Sequence, residues 1–153
     1  MNQHPSKRLI KYLKGKIGFS AEAYLNDDGI PAIGYGSTNY EVGIVYLDDE
    51  PITEEYADYL LQLDLLQHCD TVDSGVSVPL EQHRYDALVS FASTIARGSF
   101  YNSTLVRLVN EDQNNLDIAI QFIKWNKKND RFHKETAIRR QEEANIYFYG
   151  IYE

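Results

Sequence analysis

The chain has 153 residues, 43% of them hydrophobic, which suffices to bury one sizeable core and is too short for two ordinary domains. Its 23 acidic and 15 basic residues give a net charge of −8, a sign that opposes settling on nucleic acid, so no nucleic-acid partner is expected. The lone cysteine, Cys69, excludes an internal disulfide and is expected at a buried apolar position.

The polar N-terminus leads into no apolar run of signal-peptide or membrane-span length, so the expectation is synthesis in the cytoplasm, with any export needing outside help. Ser6 is placed to cap a first helix in which Leu9, Ile10, Leu13 and Ile17 share a face, ending near Gly18. Residues 24–38 then read as a β-hairpin. Tyr24 and Leu25 are strand formers, Asn26-Asp27-Asp28-Gly29 is a turn signal with a glycine for positive φ, and the chain extends again from Pro31. A further apolar run over 42–47, before the acidic turn Asp48-Asp49-Glu50-Pro51, predicts a third strand and hence a small three-stranded sheet.

From Thr53 the pattern becomes helical. Thr53 offers a capping oxygen, Glu54 and Glu55 suit the first turn, and Tyr56, Leu60, Leu63 and Gln67 trace one stripe, predicting a helix to about Cys69. After a break over 75–78, Pro79 is expected in the first turn of a central core helix that carries Tyr85, Leu88, Val89, Ala92 and Ile95 and closes at Gly98. Further helices are predicted over about 103–109, 116–125 and 136–147, separated by Asn-rich and Lys-Asn-Asp turns. The resulting class is α+β in a single domain over 1–153. A small N-terminal antiparallel sheet occupies a lobe at about 19–52, the rest is a mainly helical lobe with the first helix, and a cleft is expected between them.

Ala23-Tyr24, Gly29 and Ile33-Gly34-Tyr35-Gly36 form one motif. Ile52-Thr53, Leu60-Leu61, Asp64-Leu65, Val78-Pro79-Leu80, Asp86-Ala87-Leu88 and Ser90-Phe91-Ala92 follow it in order. Gly98, Phe100, Ser103-Thr104-Leu105, Phe122 with Trp125, and Arg139-Arg140 with Glu143 complete the set. This ordered set, covering nearly the whole chain, resembles the phage-type lysozymes, the endolysin or muramidase family. The resemblance implies a lysozyme-like fold, a phage or prophage origin, and peptidoglycan glycan as the substrate class.

In that family a glutamate ending the first helix, an aspartate in the hairpin and a nearby threonine carry the chemistry. Glycoside cleavage needs an acid at the leaving oxygen and a second group for the oxocarbenium ion, water or nucleophile. Counting back from Ile33-Gly34, those positions hold Ile17, Asn26 and Ala32. None can do that chemistry: Ile17 has no proton to give, Asn26 has an aspartate's shape without its charge, and Ala32 has no hydroxyl. The family's Gly-His-Thr reads Gly36-Ser37-Thr38, and its Phe-Asn-Val-Gly reads Ser93-Thr94-Ile95-Ala96, which removes an aromatic expected beside the sugar groove.

A relocated acid is the competing expectation, with Glu22 as donor and Asp27 or Asp28 as partner, set against the plainer reading of an exposed strand residue and solvated turn acids. Tyr35, Ser37, Ser93, Thr94 and Ser103 are candidate cleft or ligand-binding residues, although Tyr35 and Tyr40 fit core or rim packing equally well. His68, His83 and His133 with Cys69 lack metal-ligand spacing and His4 adds nothing, so neither metal nor cofactor is expected. Ser90 and Ser103 have no base placed near them by sequence. The aromatic C-terminus, Tyr147 to Tyr152, reads as a tail packed on the domain or as an interface. The expected function is binding, to a protein partner or to peptidoglycan glycan, by a catalytically inactive member of the family. The alternative is an active muramidase using Glu22.

Overall fold

The computed structural model describes residues 3–153, which fall into two compact units, one of residues 10–67 and one of residues 3–9 with 68–153. The divisions lie inside two helices. The first, α1 (Lys7–Ile17), starts at the expected cap, where Ser6 Oγ accepts the Leu9 N–H at 3.1 Å. It stops at Gly18, which takes a φ of 80° while donating to the Lys14 carbonyl at 2.9 Å.

In the unit of residues 10–67, β1 (Ser20–Leu25) and β2 (Pro31–Gly34) pair antiparallel, with Tyr24 opposite Ala32 and Leu25 opposite Pro31. The expected third strand over 42–47 does not form. That stretch makes one isolated bridge, Asn39 with Ile44, Gly43 takes a φ of 93°, and Val42 is 91% exposed. An apolar run becomes a strand only when a partner covers its inner face, and here Val45 is buried while Ile44, Tyr46 and Leu47 are exposed. The sheet therefore has two strands.

The next helix, α2 (Glu54–Gly75), opens with the predicted cap, the Tyr56 N–H reaching Thr53 Oγ1 at 3.1 Å. It runs past the expected end near Cys69, because Cys69 and Val72 continue a buried face that the intervening Asp70 and Asp73 disguise. In its first half Ala57, Leu60, Leu61 and Leu65 are buried, as are Leu13 and Ile33 of the same unit. A Cβ on Gly34 would lie 2.8 Å from Ala57 Cβ, so the strand end can approach the helix only as glycine.

The other unit is built on α3 (Gln82–Ala92), in which every residue from Tyr85 to Ala92 is buried. Pro79 lies before this helix and not in its first turn. Gln113 Nε2 holds the Pro79 carbonyl at 3.0 Å and Gln3 Nε2 holds the Leu80 carbonyl at 3.2 Å, so these oxygens are occupied outside the helix. The helix also ends at Ala92 and not at Gly98. Ser93 Oγ donates to the Ser90 carbonyl at 2.6 Å and Thr94 Oγ1 to the Phe91 carbonyl at 3.0 Å, so side chains take the last-turn oxygens. Gly98 lies instead inside the short helix α4 (Arg97–Tyr101).

The helices α5 (Thr104–Glu111) and α6 (Asp117–Lys124) follow, then a hairpin of β3 (Lys127–Lys128) and β4 (Arg131–Phe132), then α7 (Lys134–Tyr149). The Lys-Asn-Asp turn makes this hairpin because Asn129 and Asp130 both take positive φ, 53° and 63°, the requirement of a two-residue type I′ turn. Within this unit α3 and α6 pack on α7, and α5 packs on α6. Phe91 lies at the centre, 5.6 Å from the rings of Phe122 and Trp125 and 6.1 Å from Phe100. Among the described residues no helix is long and apolar enough to cross a membrane.

Candidate functional site

The three positions assigned to chemistry by resemblance lie in the unit of residues 10–67. Ile17 ends α1, where a Cβ on Gly36 would meet its Cγ2 at 3.3 Å and the Tyr24 hydroxyl at 3.9 Å, so its side chain lies beside Gly36. Asn26 is committed to the hairpin turn: Oδ1 accepts the Asp28 N–H at 2.9 Å and the Ile30 N–H at 3.0 Å, and its backbone carbonyl accepts the Gly29 N–H at 2.9 Å. An Asx turn of this kind needs the carboxamide oxygen and no charge. Ala32 is fully buried.

Of the alternative acids, Glu22 is exposed on β1, and Asp27 and Asp28 are exposed in the turn. Asp27 acts on its surroundings through Tyr24, whose phenol is pushed up first by burial and then by the neighbouring carboxylate.

The cleft candidates divide by unit. Tyr35, buried, donates its hydroxyl to Glu54 Oε1 at 2.8 Å, packs 5.7 Å from the Phe19 ring and lies under Lys14 Nζ at 5.3 Å. Burial first, and then Glu54, raise the Tyr35 phenol. Ser37, also buried, donates to Asp64 Oδ2 at 2.6 Å. In the other unit Ser93 Oγ donates to the Ser90 carbonyl and accepts from Arg139 Nη2 at 3.0 Å, while Thr94 Oγ1 donates to the Phe91 carbonyl and accepts from Arg140 Nη2. Ser103 caps α5, accepting the Val106 N–H at 3.1 Å and donating to the Phe100 carbonyl at 2.8 Å. The hydroxyls at 93, 94 and 103 are thus spent on the backbone and on the arginine pair.

Sequence reasoning passed over Lys14, Glu54, Glu55 and Asp58, which line an open hollow of about 320 Å³. Lys14 pairs with Asp58, whose carboxyl is held below its ordinary range chiefly by that lysine, with Gln62 donating at 2.7 Å and burial working against both. Asp64 behaves oppositely, its carboxyl pushed up by burial despite the Ser37 hydroxyl. The available signal was charge. No lysine or arginine occurs from residue 17 to residue 83, so any cation that pairs with these acids comes from a distant part of the chain.

Two histidines are held by the framework: His83 Nδ1 lies 3.0 Å from the Ile146 carbonyl, and His133 Nδ1 accepts the Thr136 N–H at 3.2 Å to cap α7. Among the described residues no three of His, Cys, Asp and Glu gather as metal ligands. Cys69 is buried, and burial raises its thiol. The Arg139, Arg140 and Glu143 set is structural: Glu143 is fully buried, accepts from Ser90 and from both arginines, and Arg140 lies over the Phe91 ring at 5.0 Å.

A model of the family described as Phage lysozyme matches residues 14–143. The endolysin of Salmonella phage P22 is 37% identical over 122 residues, spanning 80% of this chain and 83% of its own length. The endolysin of Bacillus phage B103 is 32% identical over 147 residues, spanning 95% of this chain and 54% of its own length, so the chain covers about half of that relative. Among solved structures, the endolysin from Escherichia coli O157:H7 phage FAHEc1 superposes with a TM-score of 0.92 at 28% identity, covering 100% of this chain and 98% of that one.

Proposed function

We propose that this chain, which belongs to the phage lysozyme family, acts by binding a protein partner or peptidoglycan glycan and does not cleave the glycan. The observation that carries this reading is the set of side chains at 17, 26 and 32. A methyl group of Ile17 lies beside Gly36, the Asn26 carboxamide is spent on its own turn, and Ala32 is sealed in the sheet. None supplies a proton to a leaving oxygen or a charge opposite an oxocarbenium ion. The net charge of −8 favours a protein partner over an anionic wall.

A second reading, an active muramidase with a relocated acid such as Glu22, is favoured by the relatives named as endolysins. Muropeptide release from purified peptidoglycan separates the two, comparing the chain with Glu22→Gln and with Ile17→Glu, Asn26→Asp, Ala32→Thr combined. Circular dichroism checks folding, since a threonine at the fully buried position 32 costs about 1–3 kcal/mol by overpacking. The expected result is no release by the unmodified chain. Release by it that disappears in Glu22→Gln overturns the binding reading. Release by the triple variant alone means the groove still accepts glycan and only the chemistry was lost.

A further inference from the structure

We propose that copies of this chain associate head to tail, the loop of residues 39–50 in one copy seating against α6 and the β3–β4 hairpin of the next. This goes beyond the function proposed above and holds whether or not the chain cleaves glycan.

The loop is a shaped, acidic, apolar projection. Its backbone is fixed by Tyr40 N–H to the Gly43 carbonyl and Val45 N–H to the Thr38 carbonyl, both 3.0 Å. Asp49 Oδ2 accepts the Tyr40 hydroxyl and the Tyr46 N–H, both at 2.8 Å, and Val45 anchors the loop inward. On that frame Val42 is 91% exposed, and Ile44, Tyr46 and Leu47 are each more than half exposed. Glu41, Asp48 and Glu50 stand exposed among them. Side chains held outward by a preorganised loop lose little freedom on docking.

The second surface has the same make-up with the opposite charge. Leu116, Ile120 and Ile123 recur at helical spacing along α6, and all three are exposed. Over α6 and the hairpin, residues 117–134, stand Lys124, Lys127, Lys128, Arg131 and Lys134 against the acids Asp117 and Asp130. Phe132, 67% exposed, is the cross-strand partner of Lys127. Exposed apolar side chains beside charge in the chain are the make-up of an interface, and opposite signs on two such surfaces set partner and orientation.

The occupant is a second copy because both halves of the match are written in one sequence. The unit of residues 10–67 carries eleven acids against Lys11, Lys14 and Lys16, while the other unit has as many cations as acids and gathers five of its cations within residues 124–134, three of them on the hairpin. Two different surfaces meeting in this way make a heterologous contact, the kind that builds rings or open chains.

Sedimentation velocity of the full chain over a concentration series, at low and high salt, tests this directly. The average mass should rise with concentration at low salt and return to monomer at high salt as screening shortens. Asp48→Lys with Glu50→Lys, or Lys127→Glu with Lys134→Glu, should each weaken association by more than about tenfold. An equimolar mixture of the two variants should associate again, since each supplies the surface complementary to the other. All four side chains are exposed, and circular dichroism confirms that the variants fold. A chain that stays monomeric at low salt, association equal in both variants, or a mixture that fails to recover would overturn the proposal.

Discussion

At the scale of single residues, the fate of each carboxyl follows from its neighbours. Asp58 is stabilised as the anion by Lys14, whereas Asp64 has only the Ser37 hydroxyl and is pushed up by burial. The folded chain therefore keeps the Asp64 proton over a range where the unfolded chain has lost it. Stability falls as pH rises through the folded value and stays lower at neutral pH. Asp64→Asn keeps an oxygen for Ser37 and removes the charge, so its melting temperature should exceed that of the parent at neutral pH and match it below about pH 3. Thermal melts at both pH values check this. An equal shift at both would mean the effect is packing and not protonation.

At the scale of elements, the hairpin and its glycine show how a short sheet is held. Gly34 has a φ of 65° and leaves no room for a Cβ against Ala57. Gly34→Ala should cost about 1–3 kcal/mol through strain and displacement of α2. Urea unfolding measures that loss, and the same substitution at Gly29, where φ is 75° but a Cβ meets nothing within 4 Å, should cost less. The starts of α1 and α2 were legible because Ser6 and Thr53 are local signals, and each oxygen accepts the expected N–H. Helix ends were legible only where a glycine marks them, as Gly18 does for α1. The end of α3 is set by Ser93 and Thr94 acting with arginines more than forty residues away, and the third strand is absent because no second strand reaches residues 42–47.

At the scale of the whole molecule, both chain ends are tied to one buried carboxylate. Asp86, fully buried, accepts the Ser6 N–H at 3.1 Å, the Ser6 hydroxyl at 2.5 Å, Gln82 Nε2 at 2.9 Å and the Tyr152 hydroxyl at 2.5 Å. Arg8 adds to the clasp, lying 4.3 Å from the Tyr152 ring and donating to the Gly150 carbonyl at 3.0 Å. The aromatic C-terminus is therefore a packed tail through Tyr147 and Tyr152, with Tyr149 73% exposed. Tyr152→Phe should lose about 1 kcal/mol. It should speed amide exchange at Lys7, Arg8 and Leu9, as well as in the tail, and exchange faster in the tail alone would mean the ends are held separately.

The sequence by itself determined the family, the α+β class and most helix starts, because these rest on local caps, apolar periodicity and an ordered set of motifs. The resemblance also singled out Ile17, Asn26 and Ala32 as residues to inspect. Only the tertiary structure decided what those side chains do: Asn26 closes a turn, and Ala32 is sealed from solvent. It alone drew Lys14 to Asp58 and Ser37 to Asp64, and spent Ser93, Thr94 and Ser103 on the framework. The reason is physical. A cap or an amphipathic stripe is specified by residues a few positions apart, whereas a buried polar group takes whichever partner the packing of distant segments brings to it.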